Sequence, residues 1–273
     1  MIGRREQALN YAILLLFSLI ALYPILGIVL TALAPPGELA GFGLPSSLHF
    51  ENFSNAWDEG HFSTYLRSSV IVAVAVVGAS TVLSILAGYA FGTMRFRGST
   101  VGFYVFLLGL MVPQEALVVP LYFDLRRLEL TDTYWALILP QVALSVAFGT
   151  FWMRAFFLAT PRSLLEAARI DGASSWTTLW RVLVPFGRPA ILTMMVLVFM
   201  WTWNEFLLAL VMIQSDELRT APLGLALFAG ATRSQDPTLT AAAAVLVALP
   251  IVIVYVFLQR SFIRGMFAGG VKE

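Results

Sequence analysis

Glu166-Ala167-Ala168-Arg169-Ile170-Asp171-Gly172-Ala173, continuing to Val184-Pro185, is a polar-punctuated passage in a chain otherwise dominated by apolar runs. Thr160 is placed to cap a helix whose first position is Pro161, where the missing N–H leaves no bond unmade. Leu164, Leu165 and Ala168 then share one side at helical spacing. Gly172 supplies a left-handed stop, Ser174 or Ser175 can cap the next helix, and Pro185 limits it. The pattern predicts a short helix, a glycine turn and a second short helix, held outside the lipid over 160–186. The small Ala167 and Ala168 after Glu166 leave backbone open to a partner that packs close.

The rest of the chain says what this loop interrupts. Of 273 residues, 59% are hydrophobic and 12% charged, against about 45–50% and about 25% in soluble domains. The mean hydropathy is +0.83, so the chain reads as a membrane protein. A net charge of +1 provides no basic face for nucleic acid. With no cysteine, disulfides and cysteine–metal sites are excluded.

Residues 4 to 34 imitate a signal peptide, with Arg4 and Arg5 ahead of an apolar run and Ala32-Leu33-Ala34 resembling a cleavage site. The run is about twice the length of a signal core and can cross a bilayer, so it is expected to be a retained first helix. Apolar runs over 9–33, 68–92, 100–122, 134–158, 188–213 and 239–262 predict six spans in an all-α, single-domain membrane protein. Between the first two, the outer loop 35–66 is broken by Pro35, Pro36, Gly37, Gly41, Gly43 and Pro45. Glu51-Asn52-Phe53 and Trp57 suggest a short surface helix within it. His49 and His61 both fall there and read as solvated. With a cytoplasmic N-terminus, 12 of the 17 cationic residues fall on the inner side. The positive-inside bias therefore predicts that both termini and the Glu166 loop are cytoplasmic, in a multi-pass plasma-membrane protein.

Catalytic signatures are missing. Lys272 is the only lysine, so no Gly-x-x-x-x-Gly-Lys-Ser/Thr phosphate loop exists, and neither Gly-x-Ser-x-Gly nor His-Glu-x-x-His occurs. If transport is driven by ATP, a partner hydrolyses it. Within the spans, Gln114, Glu115, Gln141, Trp203, Asn204 and Glu205 are the candidates for a solute path. Counted along straight helices they reach one depth, and carboxylates at such depth face hydrated space or partners. Trp201 and Trp203 flank Asn204, a combination suited to stacking on and hydrogen bonding to sugars. A secondary transporter using Glu115 and Glu205 is the alternative, and a membrane-embedded acid–base enzyme a more distant one. Ser84, Gly88 and Gly92 predict close helix packing.

Glu166-Ala167-Ala168, three residues, Gly172, nine residues, then Val182-x-Val184-Pro185 resembles the coupling loop of ABC importer permease subunits. Valines stand where that pattern usually has isoleucine and leucine. The Asp171-Gly172-Ala173 form is similar to the second permease subunit of maltose-type carbohydrate systems. Further matches are Gly88-Tyr89-Ala90 with Arg95-Phe96-Arg97-Gly98, Val112-Pro113 with Val119-Pro120-Leu121-Tyr122, Trp203-Asn204-Glu205-Phe206, and the tail from Arg264 through Gly269-Gly270-Val271-Lys272. The resemblance implies a second permease subunit, two ATP-binding subunits and an extracytoplasmic solute-binding protein as partners. It implies no cofactor on this chain, with ATP and Mg held by the partner ATPase. Glu166, Ala167, Ala168, Asp171, Gly172, Ala173 and Pro185 are the residues expected at the ATPase contact, with the C-terminal tail reaching toward it.

Overall fold

The computed structural model describes residues 3–38, 43–230 and 236–268, with side chains up to residue 259. Gly41, Arg233 and the tail Gly269-Gly270-Val271-Lys272 lie outside the described residues, as do the side chains of Arg260 and Arg264. Every regular element described is helical. Among the described residues, four helices have the length and composition to cross a membrane: α1 (Arg4–Ala32), α3 (Phe62–Thr93), α6 (Tyr134–Ala159) and the Pro237–Gln259 part of α12 (Pro237–Ala268). Two bent pairs bring the number of possible spans to 6. They are α4 (Ser99–Met111) with α5 (Gln114–Arg127), and α8 (Ser175–Phe186) with α9 (Arg188–Trp203). Shorter elements are α2 (Glu51–Glu59), α7 (Arg162–Ile170), α10 (Leu207–Met212) and α11 (Ala221–Gly230).

The helices group into two compact units. The first is formed by Met1–Leu66 with Leu223–Pro250, the second by Arg67–Pro222 with Ile251–Glu273. In the first, the buried Asn52 side chain of α2 donates to the carbonyls of Ala32 at 3.0 Å and Ala34 at 2.8 Å. This satisfies orphan carbonyls at the end of α1 and pins the short surface helix against it. Asp236 accepts from Gly37 N–H, and also from Thr238, opening α12. His49 is half-buried rather than solvated, bonded to Ser47 and Glu51.

The second unit is organised on the crossing of α3 and α6. A Cβ on Gly88 would stand 2.5 Å from Met153 Cβ, and one on Gly149 would stand 2.1 Å from Ser84 Oγ. The two backbones therefore approach through the Ser84–Gly88–Gly92 row, as close packing in a membrane requires of small residues. Arg154 closes this crossing by donating to Phe91 O at 3.2 Å and stacking 4.0 Å over the Phe103 ring.

Two predicted continuous spans are broken. The run 100–122 bends by 97° between α4 and α5. Pro113 drives Val112 into extended backbone (φ −79°, ψ 120°) and has no N–H to continue the helix. The run 188–213 stops at Asn204, and α10 restarts after Phe206. At 16 residues, α9 is about 24 Å long, so its span relies on what continues it at each end.

Candidate functional site: the α7–α8 hairpin and a polar cavity between the helix breaks

The hairpin departs from the sequence expectation at both ends. Thr160 does not cap α7; Pro161 forces it into extended backbone (φ −66°, ψ 133°), where it terminates α6. Its hydroxyl donates back to Phe156 O at 3.1 Å, and α7 begins at Arg162. Gly172 adopts φ +72° with nothing within 4 Å of a Cβ position, so the turn needs glycine for backbone reasons alone. The Ala173 N–H reaches Ala168 O at 2.9 Å and closes the turn. Ser174 then caps α8, its Oγ accepting from Thr177 N–H at 3.2 Å. Pro185 does not end α8. The turn before it widens to a π-helix over Thr178–Leu183, which relieves the clash of the proline ring with the carbonyl four residues back. The helix ends instead at Gly187, where a Cβ would stand 2.7 Å from the Phe156 ring.

Leu179 and Leu183 form the buried face of α8, and Ala168 of α7 is buried as well. Ile170, Trp176 and Phe186 are exposed, Ile170 at 86% of its surface. Ile170 and Trp176, large apolar groups left uncovered on either side of the Gly172 turn, fit a surface that a partner covers. Ala167, Asp171 and Gly172 are exposed, and Ala173 is half-buried. Pro185 is exposed. Glu166 is exposed but turned to one flank, where it lines a cavity of about 800 Å³ with Arg162, Leu165 and Arg169. The ends of α3 and α6, with Arg95 just beyond α3, form the opposite wall.

A second cavity, about 240 Å³, lies between the two broken runs. Gln114, Gln141 and Glu205 line it together with Ser145, Phe148, Trp201 and Thr202. Gln114 opens α5 and donates through Nε2 to Glu205 Oε2 at 2.6 Å. The other oxygen, Oε1, accepts the Leu208 N–H at 2.7 Å and caps α10. One carboxylate thus ties both breaks together. Asn204, Glu115 and Trp203 do not line this cavity. Asn204 is exposed and donates to Met200 O at 2.7 Å. Glu115 is exposed and Trp203 is buried. Ser145 is not among the residues that sequence reasoning singles out, although it follows Gln141 by four residues and so falls on the same helix face.

Residues 80–268 match the family described as a binding-protein-dependent transport system inner membrane component. The chain is 35% identical to the arabinooligosaccharides transport system permease protein AraQ of Halalkalibacterium halodurans, over 93% of this chain and 92% of that protein. It is also 35% identical to the probable ABC transporter permease protein YurM of Bacillus subtilis, over 96% of this chain and 87% of that one. Among solved structures, a bacterial ABC transporter involved in import of the acidic polysaccharide alginate superposes with a TM-score of 0.78 at 26% identity. The match covers 96% of this chain and 99% of that one. A second, the alginate transporter in complex with its alginate pentasaccharide-bound periplasmic protein, shares the fold at a TM-score of 0.68. With the family spanning most of its helices and relatives matching nearly its whole length, the chain belongs to the inner membrane components of binding-protein-dependent ABC importers, and is a multi-pass permease subunit.

Proposed function

We propose that this permease forms half of the translocation path for a sugar or sugar-like solute. It would pair with a second permease subunit, two ATP-binding subunits and an extracytoplasmic solute-binding protein. The sugar assignment is supported by relatives named for oligosaccharide transport, among them AraQ. ATP and Mg belong to the partner ATPase, which this lysine-poor chain cannot replace.

The observation that carries the coupling assignment is the α7–α8 hairpin, with its exposed Ile170 and Trp176 on either side of the Gly172 turn. Both termini and this hairpin are assigned to the cytoplasm, on the positive-inside distribution of arginines. Exposed Ala167 permits close approach of a partner, buried Ala168 lets α7 and α8 pack closely on each other, Glu166 is the polar anchor, and Gly172 with Asp171 and Ala173 sets the angle between the two helices. Pro185 lies near the corner where α8 turns into α9. Closure of the ATP-binding subunits moves this hairpin as a rigid body and alternates access to the path. Gln114, Gln141 and Glu205, with Trp201, form the polar part of that path on this chain. The remaining candidates, Glu115, Trp203 and Asn204, do not line the cavity that these residues share. A proton- or ion-coupled carrier using Glu115 and Glu205 is the alternative reading, and it leaves the α7–α8 hairpin without a task.

Co-purification in detergent tests the assignment. The wild-type chain is expected to bring an ATP-hydrolysing subunit and a second permease with it, and Glu166→Ala to weaken retention of the ATPase. Purification without an ATPase under conditions that preserve complexes overturns the importer assignment. Equal retention by Glu166→Ala removes Glu166 as the anchor.

A further inference from the structure

The flank of α7 that carries Glu166 also carries Arg162 four residues before it and Arg169 three residues after it, so all three lie along one stripe. With Arg95 opposite, three guanidiniums and one carboxylate line the cavity of about 800 Å³. Among the described residues, no salt bridge engages any of the three arginines, and no hydrogen bond is made by their side chains. Like charges converging on a concave surface raise its positive potential and draw an anion into it. Guanidinium forks match phosphate oxygens bidentately, and the exposed Ser175 on the same lining adds a hydroxyl donor.

The other wall is mixed. Arg95, Thr93 and Thr160 stand on it beside the apolar Tyr89, Met94, Phe157 and Leu158 at the ends of α3 and α6, with Met94 and Leu158 exposed. Two spans of membrane length end there, so this wall stands at the boundary of the hydrocarbon. A cavity with arginines on both walls and apolar side chains exposed at the membrane boundary suits an amphiphile with an anionic head, and its volume is in the range of small-ligand sites. Basic pockets between spans are sites where anionic headgroups settle.

We propose that this cavity binds the phosphate of an anionic phospholipid, held by Arg95, Arg162 and Arg169, with acyl chains along Met94 and Leu158. The bound lipid would sit between the spans and the hairpin and brace the hairpin's flank. This inference is read from Arg95, Arg162 and Arg169, none of which the proposed ATPase contact invokes, although Glu166 borders the same cavity.

The test is native mass spectrometry of the protein purified with whatever subunits accompany it, after equilibration with equimolar phosphatidylglycerol and phosphatidylcholine. Phosphatidylglycerol is expected to be retained in preference. Arg95→Gln should reduce that preference about fivefold and Arg95→Gln with Arg162→Gln further, whereas Arg95→Lys keeps most of it. Arg126→Gln, an exposed cation in the last turn of α5, should leave it unchanged. Variants are compared at matched elution profile and thermal stability. Equal retention of the two lipids by wild type, or an unchanged preference in the double variant, overturns the proposal. Displacement of phosphatidylglycerol by equimolar inorganic phosphate also overturns it, in favour of a free phosphate-bearing solute. Loss of the ATPase in Arg95→Gln with lipid retention unchanged does so too, assigning the cavity to the partner protein. Preferential lipid retention by a preparation that lacks any ATPase would support the lipid site while the importer assignment failed.

Discussion

Asp132, between α5 and α6, shows how a single residue can close a loop the sequence leaves open. Its φ of +56° is a left-handed conformation that aspartate tolerates better than most residues. Its carboxylate accepts from the backbone N–H of Gln214 and of Ser215, each at 2.9 Å, and from the Ser215 hydroxyl. The Ser215 hydroxyl first, then the Ser215 N–H, hold this carboxyl below its ordinary 3.8, outweighing the opposing effect of burial, with Gln214 N–H adding to them. A depressed value means that the folded state favours the charged form. The stabilisation is fully present above the unfolded value and is lost as pH falls through the folded one. Asp132→Asn should therefore lower Tm in detergent at neutral pH and flatten its decline on acidification below that ordinary value. An acid profile parallel to that of wild type would contradict the assignment. Gly172 is the opposite case, because its position after an Ala-rich turn makes the left-handed stop legible in the sequence alone. Asp132 carries no such signal, since its partners lie 82 and 83 residues away.

At the scale of elements, the breaks in the spans matter more than the spans. Pro113 is visible in the sequence, yet the 97° bend it permits is set by what α5 packs against. Asn204-Glu205-Phe206 interrupts the other run without proline. The Glu205 side chain supplies the cap that makes the restart at Leu207 possible, and Gln114 holds that carboxylate from the opposite break. Glu205→Ala leaves the Leu208 N–H and the Gln114 amide unpaired, at a cost of about 1–3 kcal/mol. Thermal unfolding in detergent should register this as a lower Tm. Gln114→Ala in the Glu205→Ala background should add little, because the two groups act as one unit. Additive losses would show that Gln114 and Glu205 stabilise the breaks independently. The close α3–α6 crossing, in contrast, is legible as a Ser84–Gly88–Gly92 row, because small residues at four-residue spacing have few other uses between membrane helices.

For the whole molecule, the proposed side of the membrane for each segment rests on the arginine distribution, and the chain offers a clean way to measure it. It has no cysteine of its own, so single introduced thiols report without background. An impermeant thiol reagent applied to intact cells should label Ser54→Cys in the outer loop and spare Thr100→Cys beside the start of α4. Inverted vesicles should give the reverse. Labelling of Thr100→Cys from outside would turn the molecule over and place the α7–α8 hairpin away from any cytoplasmic ATPase.

Composition, run length and the order of motifs along the chain were enough to establish an all-helical membrane permease with an Ala-Gly hairpin between spans. Those properties depend on local transfer energies and on residues a few positions apart, and both are written directly in the sequence. Which polar groups meet was decided only in three dimensions. Gln114 and Glu205 are 91 residues apart and share a hydrogen bond, while Glu115, one residue along, turns away. Arg95 reaches the cavity of Arg162 and Arg169 only because α3 and α6 end at the same level. Such convergence depends on crossing geometry and bend angle, which arise from packing between helices and have no period or spacing to betray them.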